Sequence, residues 1–204
     1  MLTMMPMAAC DGSNADPILP EQPGQPGNSD GGDEDDSTDP TNPIPGGNGR
    51  YLVLYCSRTG STERMAQQIQ QTLDCDILEV EPQTPYESDY NGMLNRAQEE
   101  LAAIRQGNYP AIKTSVEDFG NYDIVFVGYP IWYGSMATPM QTFLHNHASK
   151  LAGKRIALFA SSGSSGISAS VDEARTFCSG ATFTETLLLT SSTLSQMGNR
   201  IRTW

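Results

Sequence analysis

Residues 51–62 read YLVLYCSRTGST, and this stretch decides the fold class. Its first five residues are large and apolar or aromatic, which predicts a short, buried β-strand. Small hydroxyl residues and a glycine follow. Met65, Ile69 and Leu73 then recur at every fourth position, as on one face of an α-helix. A strand that leads through a polar turn into a helix is the first unit of an alternating α/β fold.

The same alternation continues to the end of the chain and predicts a doubly wound α/β sheet. Further strand patterns occur at residues 76–80, 123–128, 155–160 and 182–190. Helical patterns occur at residues 61–73, 92–106, 137–149, 167–178 and 193–204. The run at 123–128 is continuously apolar, which is typical of a central strand covered on both faces. Five strands joined by helical crossovers predict a parallel sheet with helices on both sides.

Residues 1–50 differ in composition from residues 51–204. The 204-residue chain has a net charge of −12, and residues 1–50 contain nine acidic residues and one basic residue, with eight prolines and eight glycines. This composition predicts a flexible acidic tether before a folded domain at 51–204, and a cleaved propeptide is the alternative. The acidity argues against binding to nucleic acid or to an anionic membrane. No apolar run reaches the length of a membrane-spanning helix.

The start of the tether contains a candidate lipid-attachment site. Met7-Ala8-Ala9-Cys10 resembles the lipobox of bacterial lipoproteins, which implies attachment at Cys10 to the cell envelope. The tether would then separate the domain from the membrane. Met7 stands where leucine is usual, and the charged start of a signal peptide is missing, so a chance cysteine on a cytoplasmic protein is the alternative. The cysteines of the domain are predicted to be small buried residues rather than disulfides or metal ligands: Cys56, Cys75 and Cys178.

Three polar, glycine-rich segments follow strands one, three and four: residues 56–62, 129–135 and 161–166. Because the carboxyl ends of parallel strands meet at one edge, the segments are expected to form one crevice. The first offers helix N-terminal N–H groups and hydroxyls to an anion, and Gly60 allows close backbone approach. An ordinary Ser/Thr helix cap is the alternative. The pattern is neither a Walker A loop nor a dinucleotide-binding loop.

The second and third segments suit a planar ring. Trp132 and Tyr133 are adjacent aromatics at a strand exit, where an electron-poor ring would give them a stacking partner, and core packing is the alternative. Pro130 stiffens this segment, and Gly134 allows close backbone approach. In the third segment, serines and glycines suit donors to a polar ring edge, and an ordinary flexible loop is the alternative. A Gly-x-Ser-x-Gly nucleophile elbow is missing from it.

Together these segments resemble the flavodoxin family. Ser57-x-Thr59-Gly60-x-Thr62 is similar to its phosphate loop, GYPIWYG at 128–134 to its flavin-packing loop, and SSGSSGI at 161–167 to the loop of bacterial secreted or lipoprotein members. The resemblance implies a five-stranded flavodoxin-like sheet of order 2-1-3-4-5 with FMN as cofactor. The flavin contacts that it implies are Ser57, Arg58, Thr59, Gly60, Ser61, Thr62, Pro130, Ile131, Trp132, Tyr133, Gly134, Ser162, Gly163, Ser164 and Gly166.

The resemblance implies an FMN-binding redox protein that mediates electron transfer. Two alternatives are an NAD(P)H-dependent oxidoreductase acting on a quinone or other small acceptor, and a surface-tethered binding module that has lost its flavin. No residue has the pattern of a general acid or base. The alternating His145 and His147 are predicted to lie on the surface, or to pair with the dipole at the C-terminal end of a helix, rather than to bind a metal. Residues 82–121 form a long connection that could shape a partner or substrate site.

Overall fold

The computed structural model describes residues 49–204. The lipobox at Cys10 and nearly all of the predicted tether lie outside the described residues, so lipid attachment stays a prediction. The strands are β1 (Tyr51–Tyr55), β2 (Asp76–Glu79), β3 (Ile124–Trp132), β4 (Ser135–Met136), β5 (Arg155–Ser162), β6 (Thr182–Phe183) and β7 (Leu187–Thr190). The helices are α1 (Ser61–Leu73), α2 (Tyr90–Ile104), α3 (Thr138–His147), α4 (Ser168–Phe177) and α5 (Met197–Thr203), and a short 3-10 helix spans Leu194–Gln196.

The main sheet is parallel, with the order β2-β1-β3-β5-β6, and β7 also pairs with β5. This arrangement confirms the doubly wound α/β fold predicted from the sequence. The predicted fifth strand is divided in two at residues 184–186. At this interruption the carbonyl of Glu185 accepts a hydrogen bond from the indole N–H of Trp204 at 3.1 Å.

Strand β3 is longer than its apolar run, because it continues into a hairpin. Ile131 pairs with Met136 and Trp132 pairs with Ser135, so β4 runs antiparallel to the end of β3. Tyr133 and Gly134 form the two-residue turn with φ of 51° and 81°. Two successive positive φ values are typical of the turn types that match strand twist. The segment predicted as a loop is therefore mostly strand.

Two apolar cores pack against the two faces of the sheet. Leu54 and Val127 face the core shared with α3 and α4, and Val53 and Phe126 face the core shared with α1 and α5. Gly128 is required where β3 passes β5, because a Cβ atom there would lie 2.1 Å from the ring of Phe159. This close packing fixes the ends of β1, β3 and β5 relative to one another.

The cysteines and histidines of the domain differ in their exposure. The three domain cysteines are buried and free, as predicted. His145 is exposed, whereas His147 is only 5% exposed and its Nε2 accepts a hydrogen bond from the N–H of Val116, so a surface position is wrong for His147. Both histidines lie in the last turn of α3, the position that the helix-dipole alternative gave them. Among residues 49–204, no helix is long and apolar enough to cross a bilayer.

Candidate functional site

The start of α1 presents unused hydrogen-bond donors. Gly60 is its N-cap, with φ of +77°, and no side chain of the described residues caps the helix. Helical pairing begins only at Arg64, whose N–H donates to the carbonyl of Gly60 at 3.1 Å. The N–H groups of Ser61, Thr62 and Glu63 therefore find no acceptor within residues 49–204. Orphan donors at the positive end of a helix dipole favour a bound anion.

The hydroxyl groups of this loop divide into two sets. Thr59 is exposed and Ser57 and Ser61 are partly exposed, so their hydroxyls can reach a ligand. Thr62 is buried, and its Oγ1 lies 2.7 Å from Oγ of Ser161 at the end of β5. The Thr62 side chain thus joins the first loop to the third, while its backbone N–H remains available.

The guanidinium of Arg58 is held by the segment that follows β2. Its Nη2 lies 3.1–3.2 Å from the carbonyl oxygens of the three residues that precede α2, which are Glu87, Ser88 and Asp89. Asp89 in turn caps α2, because its Oδ1 accepts a hydrogen bond from the N–H of Gly92 at 2.7 Å. The guanidinium therefore links the loop after β1 to the segment after β2, a contact that the sequence pattern did not indicate.

The two predicted stacking aromatics have different surroundings. Trp132 is partly buried, and its ring meets that of Tyr86 edge-on, with centroids 5.1 Å apart and planes at 79°. Tyr133 lies at the turn of the hairpin and is 51% exposed. Ile131 is 9% exposed and belongs to the apolar core, so its side chain faces away from solvent, and a ligand could reach only its backbone.

A cavity of about 470 Å³ lies between the first loop, the segment after β2 and the end of β3. Cofactor sites commonly measure roughly 300–1,000 Å³. Five predicted contacts line it: Ser57, Arg58, Thr59, Pro130 and Trp132. Other lining residues were not predicted, among them Glu79, Glu81, Tyr86, Lys113 and Pro139. The sequence showed only that the connection after β2 was long, without showing which of its residues reach this cavity.

The third predicted segment lies at the same sheet edge but does not line the cavity. Ser162 ends β5, and residues 163–166 are exposed. The Ser162 hydroxyl oxygen is buried and has no partner among the described residues. Since Pro130 pairs with Ser161 and Thr62 contacts Ser161, the three predicted segments are neighbours. The structure brings the three segments together at one edge of the sheet. Residues 162–166 lie at the end of β5, next to β3.

The cavity wall is acidic at β2. Burial, followed by the charges of Glu81 and Glu63, raises the pKa of Glu79 from 4.5 to about 7. The hydroxyl of Tyr55 donates a hydrogen bond to its carboxylate at 3.3 Å. Lys113 forms an ion pair with Glu81 at 3.2 Å. The positive charge of Lys113 is thus already matched by a carboxylate.

A polar network behind the cavity fixes Tyr86. Its hydroxyl donates to the carboxylate of Glu100, which also accepts from Thr138 at 2.5 Å and from Nε of Arg96 at 2.8 Å. The Glu100 side chain is 12% exposed. The i,i+4 spacing of Arg96 and Glu100 is visible in the sequence, but their shared contact with Tyr86 depends on tertiary packing.

Comparisons with known proteins come from a family model and from solved structures. A family model described as Flavodoxin matches residues 50–204. A candidate flavoprotein from Bacteroides uniformis is 28% identical with a TM-score of 0.64, over 77% of this chain and 99% of that one. One from Bacteroides eggerthii is 31% identical with a TM-score of 0.61, over 75% and 98%. A flavoprotein from Lactobacillus acidophilus in complex with FMN is 26% identical with a TM-score of 0.59, over 72% and 97%. The search of curated proteins gave no match.

Proposed function

The chain belongs to the flavodoxin family, and on that basis we propose that it binds FMN and transfers electrons through it. The observation that carries the proposal is the set of N–H donors at the start of α1 that find no acceptor among the described residues, next to an aromatic-lined cavity. The similar flavoprotein from Lactobacillus acidophilus, which was solved with FMN, supports this choice of flavin.

The first loop fits the phosphate of FMN. Three orphan N–H groups and the hydroxyls of Ser57, Thr59 and Ser61 supply neutral donors to a dianion, and the helix dipole adds a favourable field. Gly60 in the left-handed region lets the backbone turn so that these donors converge. In this proposal Thr62 contributes its N–H, since its hydroxyl contacts Ser161.

The aromatic ring of the cofactor would lie near the end of β3. Trp132 borders the cavity beside the first loop, and Tyr133 is exposed next to it, so either side chain can offer a ring face. Backbone groups near Gly163 would bind the polar ring edge. Residues 163–166 are exposed beside Ser161, which supports this assignment. Bound FMN supplies the redox chemistry, and these residues bind and orient it.

The charges near the site favour a low reduction potential. Glu79 and Glu81 line the cavity, and Glu79 becomes fully charged above its raised pKa of about 7. The nearby cations have partners: Lys113 pairs with Glu81, and Arg58 donates hydrogen bonds to three carbonyls. Negative charge disfavours an electron-rich, anionic reduced ring. The cavity also borders residues 79–88, beyond the first loop, where a small acceptor would approach the flavin. This part of the cavity favours an oxidoreductase acting on a small molecule as the second candidate function.

A flavin titration tests the proposal. The purified chain should bind FMN much more tightly than riboflavin, because only FMN carries the phosphate. Reduction of the complex and mixing with quinones, or with a partner such as cytochrome c, then separates the two roles. A chain that binds neither flavin at micromolar concentration would contradict the proposal, and binding of FMN without electron transfer to any acceptor would leave only a binding module.

A further inference from the structure

We propose that Tyr86 is the positioning residue for Trp132, and that it fixes the indole at the border of the cavity in the orientation that the flavin meets. The inference rests on the proposed function, because it concerns how the flavin site is prepared. The two rings are in edge-on contact, with centroids 5.1 Å apart. Edge-to-face contact defines the angle of one ring relative to the other, as an aliphatic neighbour would not.

The phenol ring of Tyr86 is fixed by groups from two helices. Its hydroxyl contacts Glu100 in α2 and lies 2.7 Å from Oγ1 of Thr138 in α3. Burial raises the pKa of the Tyr86 phenol, so the hydroxyl stays protonated and keeps donating. The guanidinium carbon of Arg96 lies 4.2 Å from the centroid of the Tyr86 ring. Rotation of Tyr86 would break all of these contacts at once.

The backbone before Tyr86 is fixed by the same arginine. Nη1 of Arg96 donates to the carbonyl of Pro85 at 2.8 Å, and Nη2 donates to the carbonyl of Thr84 at 2.9 Å. Nε of Arg96 donates to Glu100. Each side-chain nitrogen of Arg96, the carboxylate of Glu100 and the Tyr86 hydroxyl therefore has a partner, and networks paired in this way favour one conformation.

Position within the site separates this role from ordinary core packing. Tyr86 and Trp132 both line the cavity, together with Ser57 and Thr59 of the first loop. Trp132 is the last residue of β3, before a turn whose next side chain, Tyr133, is exposed. A stacking residue at such a position would lose rotamer freedom when the ligand binds. Because Tyr86 already immobilises Trp132, this entropy loss does not weaken ligand binding.

The first measurement needs no flavin. In a Trp204→Phe background, Trp132 is the sole tryptophan, and its fluorescence anisotropy and near-ultraviolet circular dichroism report how firmly its ring is fixed. Tyr86→Leu should lower both signals. Tyr90→Leu, which removes a tyrosine that is 64% exposed on α2, should change neither. Equal signals in Tyr86→Leu and the parent protein would overturn the inference, whatever FMN does.

The second measurement is a double-mutant cycle with FMN. Tyr86→Leu should weaken oxidised FMN binding by about 2- to 12-fold, the range that corresponds to loss of one aromatic contact. Tyr86→Phe keeps the ring and should retain most of the FMN affinity. This variant keeps the inference testable if Tyr86→Leu does not fold. In a Trp132→Leu background, Tyr86→Leu should have no further effect. An undiminished effect in that background would overturn the positioning role, whereas a parent chain that binds no FMN would overturn the proposed function instead.

Discussion

The loop after β1 and the segment after β2 face each other across one cavity, and they use their polar groups in opposite ways. In the first loop, the donors of the helix N-terminus and of the exposed Thr59 have no acceptor within residues 49–204. In the segment after β2, the hydroxyl of Tyr86 donates to Glu100 of α2, and the carbonyls of the two preceding residues accept hydrogen bonds from Arg96 of α2. Unused donors indicate a place for a ligand, and fully paired groups indicate a scaffold.

This difference separates two kinds of mutational effect. Changes in the first loop should lower flavin affinity and leave the free energy of unfolding nearly unchanged. Changes in the Arg96–Glu100 network behind the segment after β2 should mainly lower the free energy of unfolding. The two regions meet at Arg58. It belongs to the first loop by sequence, and its hydrogen bonds join it to the segment after β2.

The largest expected effect is a loss of stability in Glu100→Ala. This change removes the shared acceptor of Arg96, Tyr86 and Thr138, and leaves a largely buried guanidinium without its carboxylate. We expect a loss of about 2–4 kcal/mol in the free energy of unfolding, measured with urea. The neighbouring Glu99→Ala, at an exposed position, is the control and should change stability by less than about 0.5 kcal/mol. Similar values for both variants would remove the distinction between the two regions.

Thr59→Val should give the next largest effect, and on affinity rather than stability. The exposed hydroxyl is proposed to donate to the phosphate, and loss of a hydrogen bond to a charged group costs about 1.5–3 kcal/mol. FMN binding should weaken by that amount, while riboflavin binding and the urea midpoint should stay nearly constant. Fluorescence titration with both flavins checks this. Equal losses for FMN and riboflavin would show that Thr59 does not contact the phosphate.

The sequence predicted the first region better than the second, and the reason is physical. A strand, a glycine turn and a helix that begins with hydroxyl residues are local features, so residues 51–73 follow the predicted boundaries. The hairpin after β3 was not predicted, because Tyr133 adopts a positive φ, which is uncommon for a residue of its type. The role of Tyr86 depends on residues 10–52 positions away in the chain, including Thr138, and pattern reasoning cannot place such contacts.

Glu79→Gln should change how stability depends on pH. In the folded protein, the pKa of Glu79 is raised from 4.5 to about 7, so the folded chain keeps a proton that the unfolded chain releases. Glu79 therefore opposes folding increasingly as pH rises from about 4.5 to about 7, and fully above that. Because the side chain is partly exposed, screening reduces the effect to about 1–2 kcal/mol.

Unfolding curves between pH 5 and pH 8 test this expectation. Stability of the parent should fall across this interval, and Glu79→Gln should flatten the fall and be the more stable protein at pH 8. Glu87→Gln, at an exposed position on the same cavity, is the matched control. A parallel pH dependence in the parent and Glu79→Gln would show that this carboxylate is not the group that titrates.

The smallest expected effect distinguishes two roles for Arg58, at the junction of the two regions. If its guanidinium mainly orders the carbonyls of residues 87–89, then Arg58→Ala and Arg58→Lys should each weaken the binding of FMN and of riboflavin by the same amount. A loss of about 0.5–1 kcal/mol in the free energy of flavin binding is expected, since the ammonium of lysine cannot reproduce the planar donor set of the guanidinium. If Arg58 instead supplies charge to the phosphate, Arg58→Lys should restore FMN affinity, and the alanine variant should lose FMN selectively, with a weaker dependence on salt. The three short contacts from Nη2 to backbone carbonyls favour the first outcome. Dissociation constants for both flavins in the three proteins, at low and high salt, decide between the two roles.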